Sequence, residues 1–145
     1  MKQVLKIEKQ IGFRFRDIQS SECSFQQPEN AIVKDQTFGF SFTFGVHFDQ
    51  SKHEIRIEIG ATIYLSPKQK IIIGKTTNSF CFEIVNFDDF IIDKDKYSFP
   101  EDFIIMLMNI SFSTLRGMIF EKSVSIIQSK VILPIINIKE IVKKQ

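Results

Sequence analysis

The sequence predicts an α+β chain with a strand-rich front and a helical rear, and three stretches carry that reading. In FGFSFTFGVHF (38–48) every second side chain is apolar. In HEIRIEIGATIYL, Ile55, Ile57, Ile59, Ala61, Ile63 and Leu65 alternate in the same way with Glu54, Arg56 and Glu58. SFPEDFIIMLMNISFSTLRG (98–117) opens on a helix-start pattern and continues with an unbroken apolar run. Alternation marks a strand because successive side chains point to opposite faces, so one apolar row means one covered face. With 145 residues, 43% apolar and 25% charged, the chain suits a single globular domain that buries a core without metal or disulfide staples.

The elements follow in order. IGFRFRDIQSSECSF, where Phe13 and Phe15 alternate with Arg14 and Arg16, predicts a first strand over about 11–24. SFQQPENAIVKDQ (24–36) holds Pro28, Glu29 and Asn30 and reads as a loop or crossing connection. The next two strands constrain each other. Apolar positions are even-numbered in one and odd-numbered in the other, and directly opposed residues share a face, so paired numbers sum to an odd value and the turn holds an even number of residues. A two-residue turn at Gln50-Ser51 satisfies this. It pairs Asp49 with Lys52, Val46 with Ile55, Phe44 with Ile57 and Phe42 with Ile59, and on the outer face His47 with Glu54 and Thr43 with Glu58. KIIIGKTTNSFCFEIVNF (70–87) reads as a strand or bulged pair interrupted at Gly74 and Asn78, with Phe80, Phe82 and Ile84 on one face.

FDDFIIDKDKY is a charged connection leading to the rear. There Ser98 or Phe99 precedes Pro100, Glu101 and Asp102; proline suits a first turn and the acids complement the positive end of the helix dipole. The helix is expected to stop near Gly117, and 118–136 to be strand-like or loop. Asn137 then caps a short terminal helix, IKEIVKKQ. Phe103, Ile104, Ile105, Met106, Leu107, Met108, Ile110, Phe112 and Leu115 occupy nearly every side of the long helix. One sheet covers only about a third to a half of a helix circumference. The remainder must meet a second copy of the chain, an apolar ligand, or the 118–136 segment folded back.

Several function classes lose support. A net charge of +2 with no Lys/Arg stripe among aromatics argues against nucleic acid. Cys23 and Cys81 lie far apart, and MKQVLKIEKQ shows no secretory pattern, so reduced thiols and a cytoplasmic location are expected. FIIMLMNISF (103–112) is too short to cross a bilayer, so no membrane insertion is expected. His47 and His53 fall on opposite faces in the inferred register, short of the three or four convergent ligands of a zinc site. There is no GxSxG and no phosphate-cradling glycine loop. Asp88-Asp89 reads as a solvated turn, and neither Ser79 nor Cys81 has an identifiable base. The expectation is a non-enzyme with no metal and no cofactor.

The order of four weak motifs resembles the SecB export-chaperone family and its small SecB-like relatives, across nearly the whole chain. FRFRDIQSSECSFQQPEN is similar to the family's opening strand and Pro-Asn turn; FCFEIVNFDDF resembles its Phe-rich strand. SFPEDFIIMLMNISFSTLRG resembles its Phe-Pro helix start and Arg-Gly finish, and LPIINIKEIV the entry to its last short helix. The resemblance implies a four-stranded antiparallel sheet with one long helix packed on it and a short C-terminal helix. It implies a homotetramer, built as a dimer of dimers, that holds unfolded polypeptide clients without ATP, for export or to guard a specific client. Three features depart from the family. The chain is slightly basic, where the export chaperones are acidic and dock on a translocase motor. The stretch from Arg116-Gly117 to Leu133-Pro134 is longer, and Phe87 and Asp88 stand where glycines are usual. A chaperone paired with a toxin–antitoxin system fits as well as an export factor.

Client-binding candidates are apolar residues of the crossing connection (Phe25, Ile32, Val33), of the helix (Phe103, Leu107) and of the following segment (Ile119, Phe120, Ile126, Ile127). Two other classes stay open: a carrier that encloses an apolar small molecule between sheet and helix, and a non-catalytic subunit of an assembly.

Overall fold

The computed structural model describes residues 10–29, 32–68 and 71–143. Residues 1–9, 30–31 of the crossing connection, 69–70 and 144–145, which the sequence assigned to the terminal helix, lie outside those ranges. Four long strands, β1 (Phe13–Phe25), β2 (Gly39–Asp49), β3 (Glu54–Tyr64) and β4 (Ile72–Ile84), form one antiparallel sheet in the order β1-β4-β3-β2. The connection from β1 to β2 therefore crosses from one edge of the sheet to the other. The helices α1 (Glu101–Ile127) and α2 (Ile138–Lys143) follow. The α+β expectation, with a four-stranded sheet, one long helix and a short last one, holds.

The covered face is the one the alternation marked. Ile55, Ile57, Ile59, Ala61 and Ile63 of β3 and Phe80, Phe82 and Ile84 of β4 are fully buried, flanked by Phe40, Phe42, Phe44, Val46 and Phe48 of β2. The hairpin register corrects the two-residue turn. Asp49 pairs with Glu54, Phe48 with Ile55, Val46 with Ile57, Phe44 with Ile59 and Phe42 with Ala61, so residues 50–53 form a four-residue turn. A shift of two leaves every side chain on its face, which is why the parity argument held while the pairs moved. The longer turn is fixed locally. The Asp49 carboxylate accepts from Ser51 Oγ (2.7 Å) and Lys52 N (3.1 Å), and His53 closes the turn at φ 51°. On the outer face His47 consequently meets Arg56, and Thr43 meets Gly60, where a Cβ would fall on the Thr43 hydroxyl. His53 lies in the turn rather than on a sheet face, stacked on Phe87 and 3.3 Å from Asp88.

β4 is one continuous strand and not an interrupted pair. Asn78 is buried and accepts from Ser20 Oγ. Gly74 lies under the Phe25 ring; a Cβ there would come within 2.8 Å of it. The charged connection is more structured than expected. It contains a turn at Phe87–Phe90 and a small hairpin of β5 (Ile91–Asp93) and β6 (Lys96–Tyr97). Phe87, Tyr97 and Phe99 join Phe48 in an aromatic cluster that closes this end of the core.

The long helix starts at Glu101, with Pro100 as its N-cap rather than in its first turn, and runs ten residues past Gly117 to Ile127. Gly117 is not in a left-handed conformation, and nothing stands within 4 Å of where its Cβ would be, so it interrupts nothing. The stop is Gln128, in the left-handed region at φ 53°, with its N–H on the Ser123 carbonyl. Phe103, Leu107, Ser111, Leu115, Ile119, Ser123 and Ile127 form the buried stripe, four residues apart, with Met108 and Phe112 beside it. Phe112 packs edge-on against Phe42 at 5.2 Å. At 27 residues the helix is long and apolar enough to cross a membrane by length and composition, contrary to the estimate from its first ten residues; this buried stripe and the sheet beneath it are the pattern of a core helix.

The chain's own tail covers part of the rest. Val131, Leu133 and Ile138 are buried. Arg116 lies over the Phe112 ring and donates to the carbonyls of Leu133 and Pro134, both at 3.2 Å, while Ser123 Oγ receives the Val131 N–H. Asn137 caps α2 through the Lys139 N–H. Coverage stops short of complete: Met106, Phe120 and Val124 remain 38%, 39% and 42% exposed. At 100° per residue these three lie within about 40° of one another, on one side of the helix.

Candidate functional site

The crossing connection has no helix or strand among its described residues, and it lines two surface grooves. Its start is pinned to the sheet, with Gln26 N–H on the Ile73 carbonyl (2.9 Å), and to the end of α1, with Gln27 Nε2 on the Ile126 carbonyl (3.1 Å). On one side lies a groove of about 370 Å³, where Pro28 and Glu29 face Leu65, Ile71 and Ile72. On the other, a cleft of about 600 Å³ opens between Ile32–Gln36 and Phe38 on one wall and Gln128, Ser129 and Lys130, just past α1, on the other. The Gln36 amide donates to the Leu65 carbonyl (2.8 Å) and holds the connection beside the sheet as it enters β2. Val33 is 65% exposed, and Ile71 and Ile72 are about half exposed. Apolar side chains left open along a groove form a surface suited to binding other apolar groups.

The sequence candidates separate into two sets. Ile32 and Val33 line the larger cleft, beside the helix end that carries the exposed Ile126. Phe120 is exposed farther along α1. Phe25 lies half-buried over Gly74. Phe103, Leu107, Ile119 and Ile127 are buried in the protomer core, each less than a tenth exposed. A helix that is apolar on nearly every side gives no sequence cue to which side faces in. Leu65, Ile71 and Ile72, which line the smaller groove, were not among the candidates. They read as strand residues; Ile71 and Ile72 are about half exposed where β4 begins, and Leu65 is half-buried beside them.

Groups that could do chemistry are placed for structure. Cys81 is buried on the outer sheet face; burial first, then the neighbouring Glu54, push its thiol pKa up, the opposite of an activated nucleophile. Cys23 and Cys81 are both free thiols. Around Cys81 the outer face is ionic: Arg14 pairs with Glu83 at 2.6 Å and Arg16 with the buried Glu54 at 3.0 Å. Among the described residues no three His, Cys, Asp or Glu side chains converge as metal ligands.

A sheet in the order β1-β4-β3-β2, a connection crossing between its edges and a long helix on one face match a known architecture. The fold is SecB-like. The chain superposes on the Mycobacterium tuberculosis Rv1957 SecB-like chaperone, in complex with a ChAD peptide from the Rv1956 HigA1 antitoxin, with a TM-score of 0.55. The match covers 86% of this chain and 88% of that one, at 11% sequence identity. No family model matches the sequence, and no curated protein matches it. At this identity the likeness is one of fold, and the function must be argued from the surface.

Proposed function

We propose that this chain holds non-native polypeptide, without nucleotide, in the two grooves beside its crossing connection, and that it does so as a homo-oligomer. The observation that carries the reading is Val33, 65% exposed on the wall of a 600 Å³ cleft, in a fold shared with a chaperone described in complex with a peptide. Holding an unfolded segment needs accessible apolar surface and no catalytic group. The oligomer reading rests on the open stripe Met106, Phe120 and Val124, and on Phe15 and Ile18, which are 39% and 38% exposed on the inner side of β1. A second copy covering these would complete what the tail leaves open. A net charge of +2 favours guarding one client in the cytoplasm over docking on a translocase motor through acidic surface. The carrier alternative requires room between sheet and helix, where the rings of Phe42, Phe44 and Phe112 are in contact.

The test is suppression of aggregation. The protein, without nucleotide, should keep an unrelated unfolding protein in solution at near-stoichiometric ratios, and Val33→Asp combined with Ile72→Asp should abolish this while the melting curve is kept. Full suppression by the double variant would overturn the assignment of the grooves; no suppression by the parent protein would overturn the holding activity.

A further inference from the structure

We propose that the two grooves are coupled, so that a client segment filling the larger cleft opens the smaller groove to a second segment. This rests on the holding activity proposed above and adds how its two sites act together. Each wall of the larger cleft is tied by one glutamine side chain to a different side of the smaller groove. On the connection wall, Gln36 lines the cleft and donates its amide to the carbonyl of Leu65 (2.8 Å), which lines the smaller groove. The Leu65 N–H in turn donates to the Ile71 carbonyl (2.8 Å), so the tie reaches a second residue of that groove. On the helix wall, Gln128 lines the cleft, and two residues earlier the Ile126 carbonyl accepts from Gln27 Nε2 (3.1 Å). Gln128 is itself fixed to α1 through its N–H on the Ser123 carbonyl, so helix end and wall move as one. Gln27 lines the smaller groove from the connection side, opposite Leu65, Ile71 and Ile72. Parting the walls of the larger cleft therefore draws Leu65 one way and Gln27 the other. The Gln26 N–H, held on the Ile73 carbonyl (2.9 Å), keeps one end of the smaller groove closed and serves as the hinge. Coupling between sites travels through such contiguous hydrogen bonds, and it acts equally in both directions.

The experiment measures fluorescence anisotropy of a short labelled apolar peptide on two forms of the intact protein. In one, an unlabelled copy of the peptide is photo-cross-linked at position 33 and fills the larger cleft; in the other, Val33→Asp leaves that cleft empty. The first form should bind the labelled peptide about five- to ten-fold tighter, the range that two neutral hydrogen bonds can carry. Adding Ile72→Asp should remove this binding from both forms; binding that survives it overturns the assignment to the smaller groove. Gln27→Met with Gln36→Met removes both donors and should make the two forms equal. Gln27→Arg with Gln36→Arg keeps a donor for each carbonyl and should keep the difference. If the first pair does not fold, Gln27→Met alone, at an exposed bond, should still reduce the difference. A difference unmoved by these losses of a donor, or lost with the second pair, overturns the role of the glutamines. Equal or weaker binding by the cross-linked form overturns the coupling while holding stands. Failure of the peptide to bind or cross-link to the protein at all overturns both.

Discussion

The two edges of the sheet are built on different plans. β2 pairs with β3 along its whole length without a register shift, carries a phenylalanine or valine at every inner position from 40 to 48, and lies against Phe112 of the helix. β1 pairs with β4 through two bulges, one between Phe15 and Asp17 and one between Ser20 and Glu22. Its outer side holds Arg14 and Arg16 in ion pairs, and its inner Phe15 and Ile18 are left more than a third exposed. Bulges and charges are the usual means of keeping an edge strand from indiscriminate pairing. The helix reaches both edges, Phe112 against Phe42 and Phe44 of β2 and Phe103 against Phe13 at the start of β1, and past Phe13 it leaves Phe15 and Ile18 of β1 open. The contrast teaches that the helix closes the core over β3, β2 and the start of β1 and leaves an apolar stretch of β1 exposed.

The largest effect should come from breaking the covered half. Phe112→Ala removes a ring in contact with Phe42 and Phe44 and should cost about 3–5 kcal/mol of unfolding free energy, read from denaturant titration. The same change on the open half, Phe15→Ala, should cost about 1 kcal/mol in an isolated protomer, because the side chain is 39% exposed already. If Phe15→Ala proves as costly as Phe112→Ala, with a loss that grows as protein concentration rises, a second copy sits on β1. Gly74→Ala pushes a methyl into the Phe25 ring and should cost about 1–3 kcal/mol. Gly117→Ala, in the helix with nothing within 4 Å of the added carbon, should stabilise by up to about 1 kcal/mol. The smallest effect belongs to Asp49, whose carboxyl pKa is lowered first by the Ser51 hydroxyl and then by the Lys52 N–H. A lowered folded pKa means the contribution is present above the unfolded pKa and is lost as pH falls through the folded one. Asp49→Ala should therefore weaken the protein slightly at neutral pH and not at all in acid, which comparison of melting curves at the two pH values would check.

The same contrast explains what was legible in the sequence. β2 and β3 could be read because a strict period of two survives along both, down to which residues share a face. Their turn length could not, because a shift of two is invisible to face parity; it depends on the Asp49 side chain and on the left-handed His53. β1 begins with the same alternation, FRFR, but the bulges break it, so its length was readable and its inner face was not. Gly117 misled because glycine ends a helix only when it adopts the left-handed conformation, and here Gln128 does so instead. Of the site, Ile32 and Val33 could be picked out as apolar residues in a polar connection. Phe103, Leu107, Ile119 and Ile127 could not be told from exposed neighbours on an all-apolar helix.

Placing a photoactivatable cross-linking residue at position 33, and in a second protein at position 85, tests the account most directly. Both sites are open, Val33 at 65% and Val85 at 74%, but Val85 lies away from the grooves, beside Gly12. With an unfolding client added and no nucleotide, position 33 should cross-link to the client and position 85 should not. Cross-linking at 85 with none at 33 would contradict it.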